Sequence, residues 1–175
     1  MNNIEKITIK NGETVTIRQV IPEDKELFIK GFKMLSEQTK RFRFMSAKKE
    51  LADKEAEFYA KPDGKNHLAI SAGIETEQKQ LGIGVARIVR ESEGSDTGEF
   101  AIVLVDSYQQ MGIGKHLLTR LFKDSLAVGI TKVIGTMRVE NKGMELLLKK
   151  FKGFQFHHAG SGLMEIHGDL EKALL

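Results

Sequence analysis

Apolar and polar positions change period several times along this chain of 175 residues, and each change marks an element. From Val15 to Val20 they alternate as in a half-buried strand. Ile21-Pro22-Glu23-Asp24 then opens a helix, since proline fits the first turn and the helix dipole favours carboxylates there. Leu27, Phe28, Phe32 and Leu35 form its apolar stripe. After Arg41-Phe42-Arg43-Phe44, the stretch from Ala47 to Tyr59 reads as a second helix, anchored by Leu51, Phe58 and Tyr59. Lys61-Pro62-Asp63-Gly64 is turn chemistry and ends it.

His67 to Glu75 and Leu81 to Arg90 read as an antiparallel hairpin. Glu99 to Val105, EFAIVLV, is the most apolar short run and predicts a central strand. Gly112 to Ala127 is a helix with Leu117, Leu118, Leu121, Phe122 and Leu126 on one face. Thr131 to Val139 is a further strand, Asn141 starts a helix to about Phe151, and two short strands lie around Phe154 to His157 and Leu163 to Ile166. The order, β-α-α-β-β-β-α-β-α-β-β, is an α/β (α+β) pattern with an antiparallel start and one parallel step near the middle. Without repeats or low-complexity linkers, residues 1–175 are expected to form a single domain.

Composition removes several classes of chemistry. There is no cysteine, so disulfides, thiolate zinc sites and a cysteine acyl-enzyme are excluded. Five histidines are scattered without the i, i+4 spacing of a helical metal site, and no metal is expected. The start MNNIEKITIK lacks a secretory leader, and no apolar run approaches the ~20 residues that cross a bilayer, so a cytoplasmic protein with no membrane partner is expected. The formal charge of +3, from 27 basic and 24 acidic residues interleaved, does not imply a nucleic-acid partner.

Two Gly-Ile-Gly segments differ in their downstream context. After Gly82-Ile83-Gly84 comes Val-Ala-Arg-Ile-Val-Arg, which continues a strand, so these glycines thin it or mark a bulge. After Gly112-Ile113-Gly114 comes Lys-His-Leu-Leu-Thr-Arg, a helix, whose unpaired first-turn N–H groups and dipole suit an anion. The apolar strand EFAIVLV leads directly into this turn, and strand, loop, glycines and helix make a pyrophosphate cradle. A Walker A loop needs Gly and Ser or Thr where the chain has Gln109 and His116, and a dinucleotide fingerprint needs a small residue at Leu117.

Gln109-x-x-Gly112-x-Gly114, entered from that strand, resembles the Q/R-x-x-G-x-G/A signature of the GNAT superfamily of N-acetyltransferases. Val139-Glu140-Asn141, the helix after it and Lys152-Gly153-Phe154 resemble the family's next motif. More narrowly, TIRQVIPEDKELF, RFRFMS, GVARIVR and GEFAIVLVDSYQQMGIGKHLL are similar to the acetyltransferase domain of bacterial Pat-type protein lysine acetyltransferases. The resemblance implies a mixed, mostly antiparallel sheet of six to seven strands flanked by about four helices. It implies acetyl-CoA as cosubstrate, held along Val103, Leu104 and Val105 and by the loop Gln109, Gln110, Met111, Gly112, Ile113, Gly114 and Lys115. Asn141 and Met144 are expected to meet the coenzyme from the next helix, Asn141 as a ligand to the pantetheine arm, as a helix cap, or both.

Acetyl transfer needs a neutral amine, and a lysine amine with a pKa near ~10.4 must give up a proton. Glu99, the only charge in EFAIVLV, is assigned as catalytic base by the resemblance, with burial beside Phe100 expected to raise its pKa. The alternative is a carboxylate that merely begins a strand at the surface. Many relatives carry a tyrosine acid on the last helix, and MELLLKKFKGF has none; the two tyrosines are Tyr59 and Tyr108. A backbone N–H around Leu104 serves the thioester oxygen if the neighbouring strand splays there. Arg41 and Arg43 read either as acceptor-site residues or as a solvated face over Phe42 and Phe44. The resemblance puts protein lysine first as acceptor and a small amine second, with a CoA-binding sensor and a nucleotide-binding protein as rivals. Monomer and homodimer both remain open, and GDLEKALL reads as a short helical tail or dimer contact.

Overall fold

In the computed structural model, which describes residues 3–175, eight strands form one sheet in the order β1-β2-β3-β4-β5-β6-β8-β7. They are β1 (Glu5–Thr8), β2 (Thr14–Gln19), β3 (His67–Glu75), β4 (Gln80–Arg90), β5 (Thr97–Leu104), β6 (Lys132–Arg138), β7 (Phe154–Gly160) and β8 (Leu163–Asp169). All neighbours are antiparallel except β5 and β6, the one parallel step. The helices are α1 (Lys25–Met34), α2 (Glu37–Phe44), α3 (Asp53–Ala60), α4 (Ile113–Ala127), α5 (Lys142–Leu148) and α6 (Leu170–Ala173).

The class is as expected and the counts are higher. The additional strand is β1, four residues whose exposed Glu5, Lys6 and Thr8 gave no alternation strong enough to read. The additional helices are the short α6, which is the helical tail read in GDLEKALL, and α2: the Arg-Phe alternation mimics a strand, but Ser36 caps this segment by accepting from Thr39 N, and Met45 ends it in the left-handed region at φ 57°. The helix expected from Ala47 starts only at Asp53, where Glu55 turns back to accept from Ala52 N.

The alternation of β5 divides the molecule into its two layers. Phe100 is buried in the main core, with Ile102 and Leu104 packed against it, under the fully buried Leu117, Leu118, Leu121 and Phe122 of α4. Val103 and Val105 point to the other face, where they meet Phe32, Leu35 and Phe44 of the α1–α2 region. The Gly-Ile-Gly segment of β4 straddles a bulge: Ala72 opposes Gly84 and Gly73 opposes Gly82, leaving Ile83 as the extra residue. A Cβ at Gly84 would overlap Leu104 Cδ2, the end of a flexible side chain, and lie 3.2 Å from Val103 O, so a side chain there would force Leu104 to shift.

Candidate active site

Strands β5 and β6 pair only at Thr97–Lys132, Gly98–Val133 and Glu99–Ile134, and then part. On its other edge β5 stays paired to β4 through Leu104–Gly84, and Val105 N donates to Ile83 O at 2.8 Å. Backbone groups alternate sides along a strand, so with Val105 and Val103 facing β4, the N–H groups of Ile102 and Leu104 face the gap. The splay that the sequence could not show therefore exists, and it leaves Leu104 N–H aimed into an opening. Leu104 O is held by the side chain of Gln109, whose Nε2 donates to it at 3.1 Å.

The chain leaves β5 through a single 3₁₀ turn, Asp106–Tyr108, and enters α4 over a loop with two left-handed residues, Gln110 at φ 60° and Gly112 at φ 88°. Gly112 is the N-cap of α4, and no side chain caps that end. Lys115 N and His116 N both turn back to Gly112 O, so Ile113 N–H and Gly114 N–H are left for an anion. A Cβ at Gly112 would meet nothing within 4 Å, which marks open space over the loop. Gly114 is buried, and a Cβ there would lie 3.0 Å from Leu147 Cδ2 of α5. Lys115 is exposed in the first turn, where a cation is disfavoured unless an anion joins it. The donors fit a diphosphate, so the loop would hold acetyl-CoA, which supplies the activated acetyl thioester.

Other residues named from the sequence occupy mixed positions. Met111 and Met144 pack against the main core, while Gln110 is exposed on the loop. Asn141 caps α5, its Oδ1 accepting from Met144 N at 3.1 Å. Gln109 also donates to Thr39 Oγ1 at 3.3 Å. Asp106 accepts from Ser36 N, Ser36 Oγ and Thr39 Oγ1, so the loop and the start of α2 are tied together. Burial works to raise the Asp106 pKa, but these bonds outweigh it and hold the carboxyl below its ordinary value. Tyr108 packs as expected, its hydroxyl 3.5 Å from Glu13 Oε1.

Glu99 corrects one expectation. It is exposed rather than buried beside Phe100, because alternation sends Phe100 into the core and Glu99 to the opposite face. It stands at the fork, in the last β5–β6 pair, on the same face of β5 as Val103.

That face opens on a cleft of about 840 Å³, counting its open mouth, between the sheet and helices α1, α2 and α3. Val103 and Val105 form its floor next to the phosphate loop, and Gly82, Ile83 and Gly84 of the bulge line it. Arg18 and Asp24 also line it and form an ion pair at 2.7 Å; the hydrogen bond to Asp24 raises the Arg18 pKa against the effect of burial.

The residues that sequence reasoning missed are Tyr59 and Arg87, and it left Arg43 undecided; all three line the cleft. Arg87 is only 4% exposed; its guanidinium lies 4.2 Å from the Tyr59 ring centre and 5.5 Å from that of Phe28. Arg87 Nη1 donates to His67 Nε2 at 2.8 Å, so His67 is neutral with its proton on Nδ1. Burial, and then the charge of Arg87, push His67 down to about 4. Burial, and then Arg43, push Arg87 down to about 9, still charged at neutral pH. Burial also lowers Arg43, against the pull of Tyr59 and Glu99. One signal was available: in Val85-Ala86-Arg87-Ile88-Val89 a lone arginine interrupts a strand with no solvent-facing alternation. Among the described residues no cluster of potential metal ligands occurs.

A family model described as the acetyltransferase (GNAT) domain matches residues 14–155. Over 146 residues the chain is 28% identical to the acetyltransferase Pat of Mycolicibacterium smegmatis, covering 82% of this chain and 42% of that protein. The chain thus spans less than half the length of this curated relative. The crystal structure of the GNAT domain of S. lividans PAT superposes with a TM-score of 0.84 at 18% identity, covering 95% of this chain and 96% of that one. Spermidine N-acetyltransferase from Vibrio cholerae, in complex with CoA and spermine, gives a TM-score of 0.68 at 17% identity, covering 92% and 98%.

Proposed function

This chain belongs to the acetyltransferase (GNAT) family, and from that premise we propose that it moves an acetyl group from acetyl-CoA directly to a primary amine. The observation that carries this reading is the gap beside β5, with Leu104 N–H facing it and the uncapped start of α4 next to it. In the transition state negative charge develops on the thioester oxygen, and a fixed backbone N–H at Leu104 stabilises it. Amine nitrogen bonds to the acetyl carbon, the carbon–sulfur bond breaks, and the coenzyme leaves as a thiolate of pKa near ~8.5, which needs no tyrosine acid. Glu99, open to solvent at the fork and five residues from Leu104, roughly 16 Å at ~3.3 Å per residue, takes the amine proton through a chain of waters.

We read the acceptor as a protein lysine, on the motifs shared with Pat-type enzymes. A small amine is the second reading, favoured by the walled cleft with its aromatic and arginine lining. Titration calorimetry with acetyl-CoA, CoA, NAD and ATP, followed by a free-thiol assay over folded proteins, lysine peptides and small amines, tests both levels. Preference for NAD or ATP would overturn the coenzyme assignment. Tight CoA binding with no acetylated product from any acceptor would leave a sensor domain instead. Turnover on small amines alone would reverse the order of acceptors.

A further inference from the structure

The cleft holds positive charge that acetyl transfer does not use. Arg18, Arg120 and Arg138 each pair with a carboxylate, Asp24, Asp124 and Glu140. Arg43 and Arg87 line the cleft together, close enough for the charge of one to lower the pKa of the other, and among the described residues neither forms an ion pair. Arg87 has His67 and the Tyr59 carbonyl as partners, both through Nη1, which leaves Nε and Nη2 for the cleft. The Arg43 guanidinium rests 5.0 Å from the ring centre of Phe44, with the Tyr59 hydroxyl as its polar neighbour and Glu99 acting on it only as a charge in the same face. Two like charges under aromatic rings are costly until an anion joins them, and planar guanidinium groups match a carboxylate.

The coenzyme phosphates are not that anion. Ser36 at the start of α2 is tied to the phosphate loop through Asp106, and Arg43 lies seven residues further on, roughly 10 Å along the helix at ~1.5 Å per residue.

We propose that Arg43 and Arg87 bind a carboxylate carried by the acceptor, several bonds from the nitrogen that is acetylated. This rests on the acetyl-transfer reading and narrows its substrate class. Arg87 stands opposite Ala101, three residues before Leu104, a span of roughly 10 Å at ~3.3 Å per residue. The arginine side chain covers part of it, and the rest suits a lysine-like spacing between amine and carboxylate. The carboxylate is that of a free ω-amino acid or of an acidic residue beside a lysine in a peptide. Polyamines are disfavoured, since they would bring a second cation to the arginines.

Two binding titrations test the proposal without turnover. Nε-acetyl-lysine and N-acetylcadaverine differ by the carboxylate alone, and 6-acetamidohexanoate carries the carboxylate without the second amine; the three are titrated into the CoA complex. Paired peptides with acetyl-lysine next to Asp or Asn form the second arm. At least tenfold tighter binding of a carboxylate form in either arm, lost in Arg43→Gln while CoA affinity and melting temperature hold, is the expected result. The arm that discriminates identifies the source of the carboxylate. Equal affinities across both arms in the wild type overturn the proposal, as does a preference for succinyl-CoA over acetyl-CoA that Arg43→Gln abolishes. Because Arg87 is buried, Arg87→Lys serves only as support. Discrimination in binding with no acetyl transfer to any acceptor would sink the acetyl-transfer reading and keep the carboxylate site.

Discussion

Gly112→Ala separates a turn residue from a ligand-binding one. Gly112 has φ 88°, and a Cβ there would meet no atom within 4 Å. The new methyl therefore has room in the free protein, and its folding cost is that of a left-handed backbone, about 1–2 kcal/mol. For a chain of this size that lowers the melting temperature by roughly 2–8 °C. Gly129 supplies a matched control just beyond the other end of α4: its φ is 82°, and a Cβ there also meets nothing within 4 Å. Gly129→Ala should lose the same stability and bind acetyl-CoA normally. In Gly112→Ala the methyl stands in the open space proposed for the diphosphate, and losing a charge-assisted hydrogen bond costs about 1.5–3 kcal/mol. The dissociation constant for acetyl-CoA should rise roughly ten- to a hundredfold. Calorimetry and thermal melts on both variants decide it. If the two lose equal stability and neither changes affinity by more than about twofold, the anion-cradle reasoning is wrong.

Glu99→Gln should keep acetyl-CoA affinity and lose most turnover in the thiol assay; near-normal turnover would remove Glu99 as the base. Gly84→Ala should cost about 1–3 kcal/mol in urea unfolding, because the added Cβ overlaps Leu104 Cδ2 and forces that side chain or the strand to move. His67 makes stability depend on pH. Its folded value near 4 lies below the ordinary 6.5, so between those values the unfolded chain holds a proton that the folded one refuses. Stability is then full above 6.5 and falls as pH drops toward 4, by up to about 3 kcal/mol. His67→Gln should flatten that slope in urea titrations at several pH values, and a profile superimposed on the wild type would assign the loss to other groups.

How far the chain could be read in advance depended on the range of the interactions. The phosphate loop was visible because strand, glycines and helix are consecutive, and each signal is local. The bulge in β4 was visible as Gly82 and Gly84 within a strand. Helix α2 was not, since a two-residue Arg-Phe period mimics a strand and its capping Ser36 is held by Asp106, seventy residues away. Glu99 was placed beside a buried neighbour, yet on a strand adjacent residues face opposite ways, and it emerged exposed. The arginine pair arises only when α2 packs on β5, the strand paired to β4, a juxtaposition no window of sequence contains. Gln109, read as a coenzyme contact, donates to Leu104 O and Thr39, bracing the strand end that the gap deprives of a neighbour.

The fork after Glu99 also has a mechanical meaning. It divides the sheet into a five-stranded half, β1 to β5, and a three-stranded half, β6, β8 and β7, stitched by three residue pairs and a shared apolar core. Amides at Ile102 and Leu104 sit mid-sheet yet behave as an internal edge, so their hydrogen exchange should be fast for their depth. A coenzyme bound in the gap, as proposed, would act as the missing strand: at a hundredfold excess over its dissociation constant it should add about 2.7 kcal/mol, and the two halves should then unfold as one cooperative body.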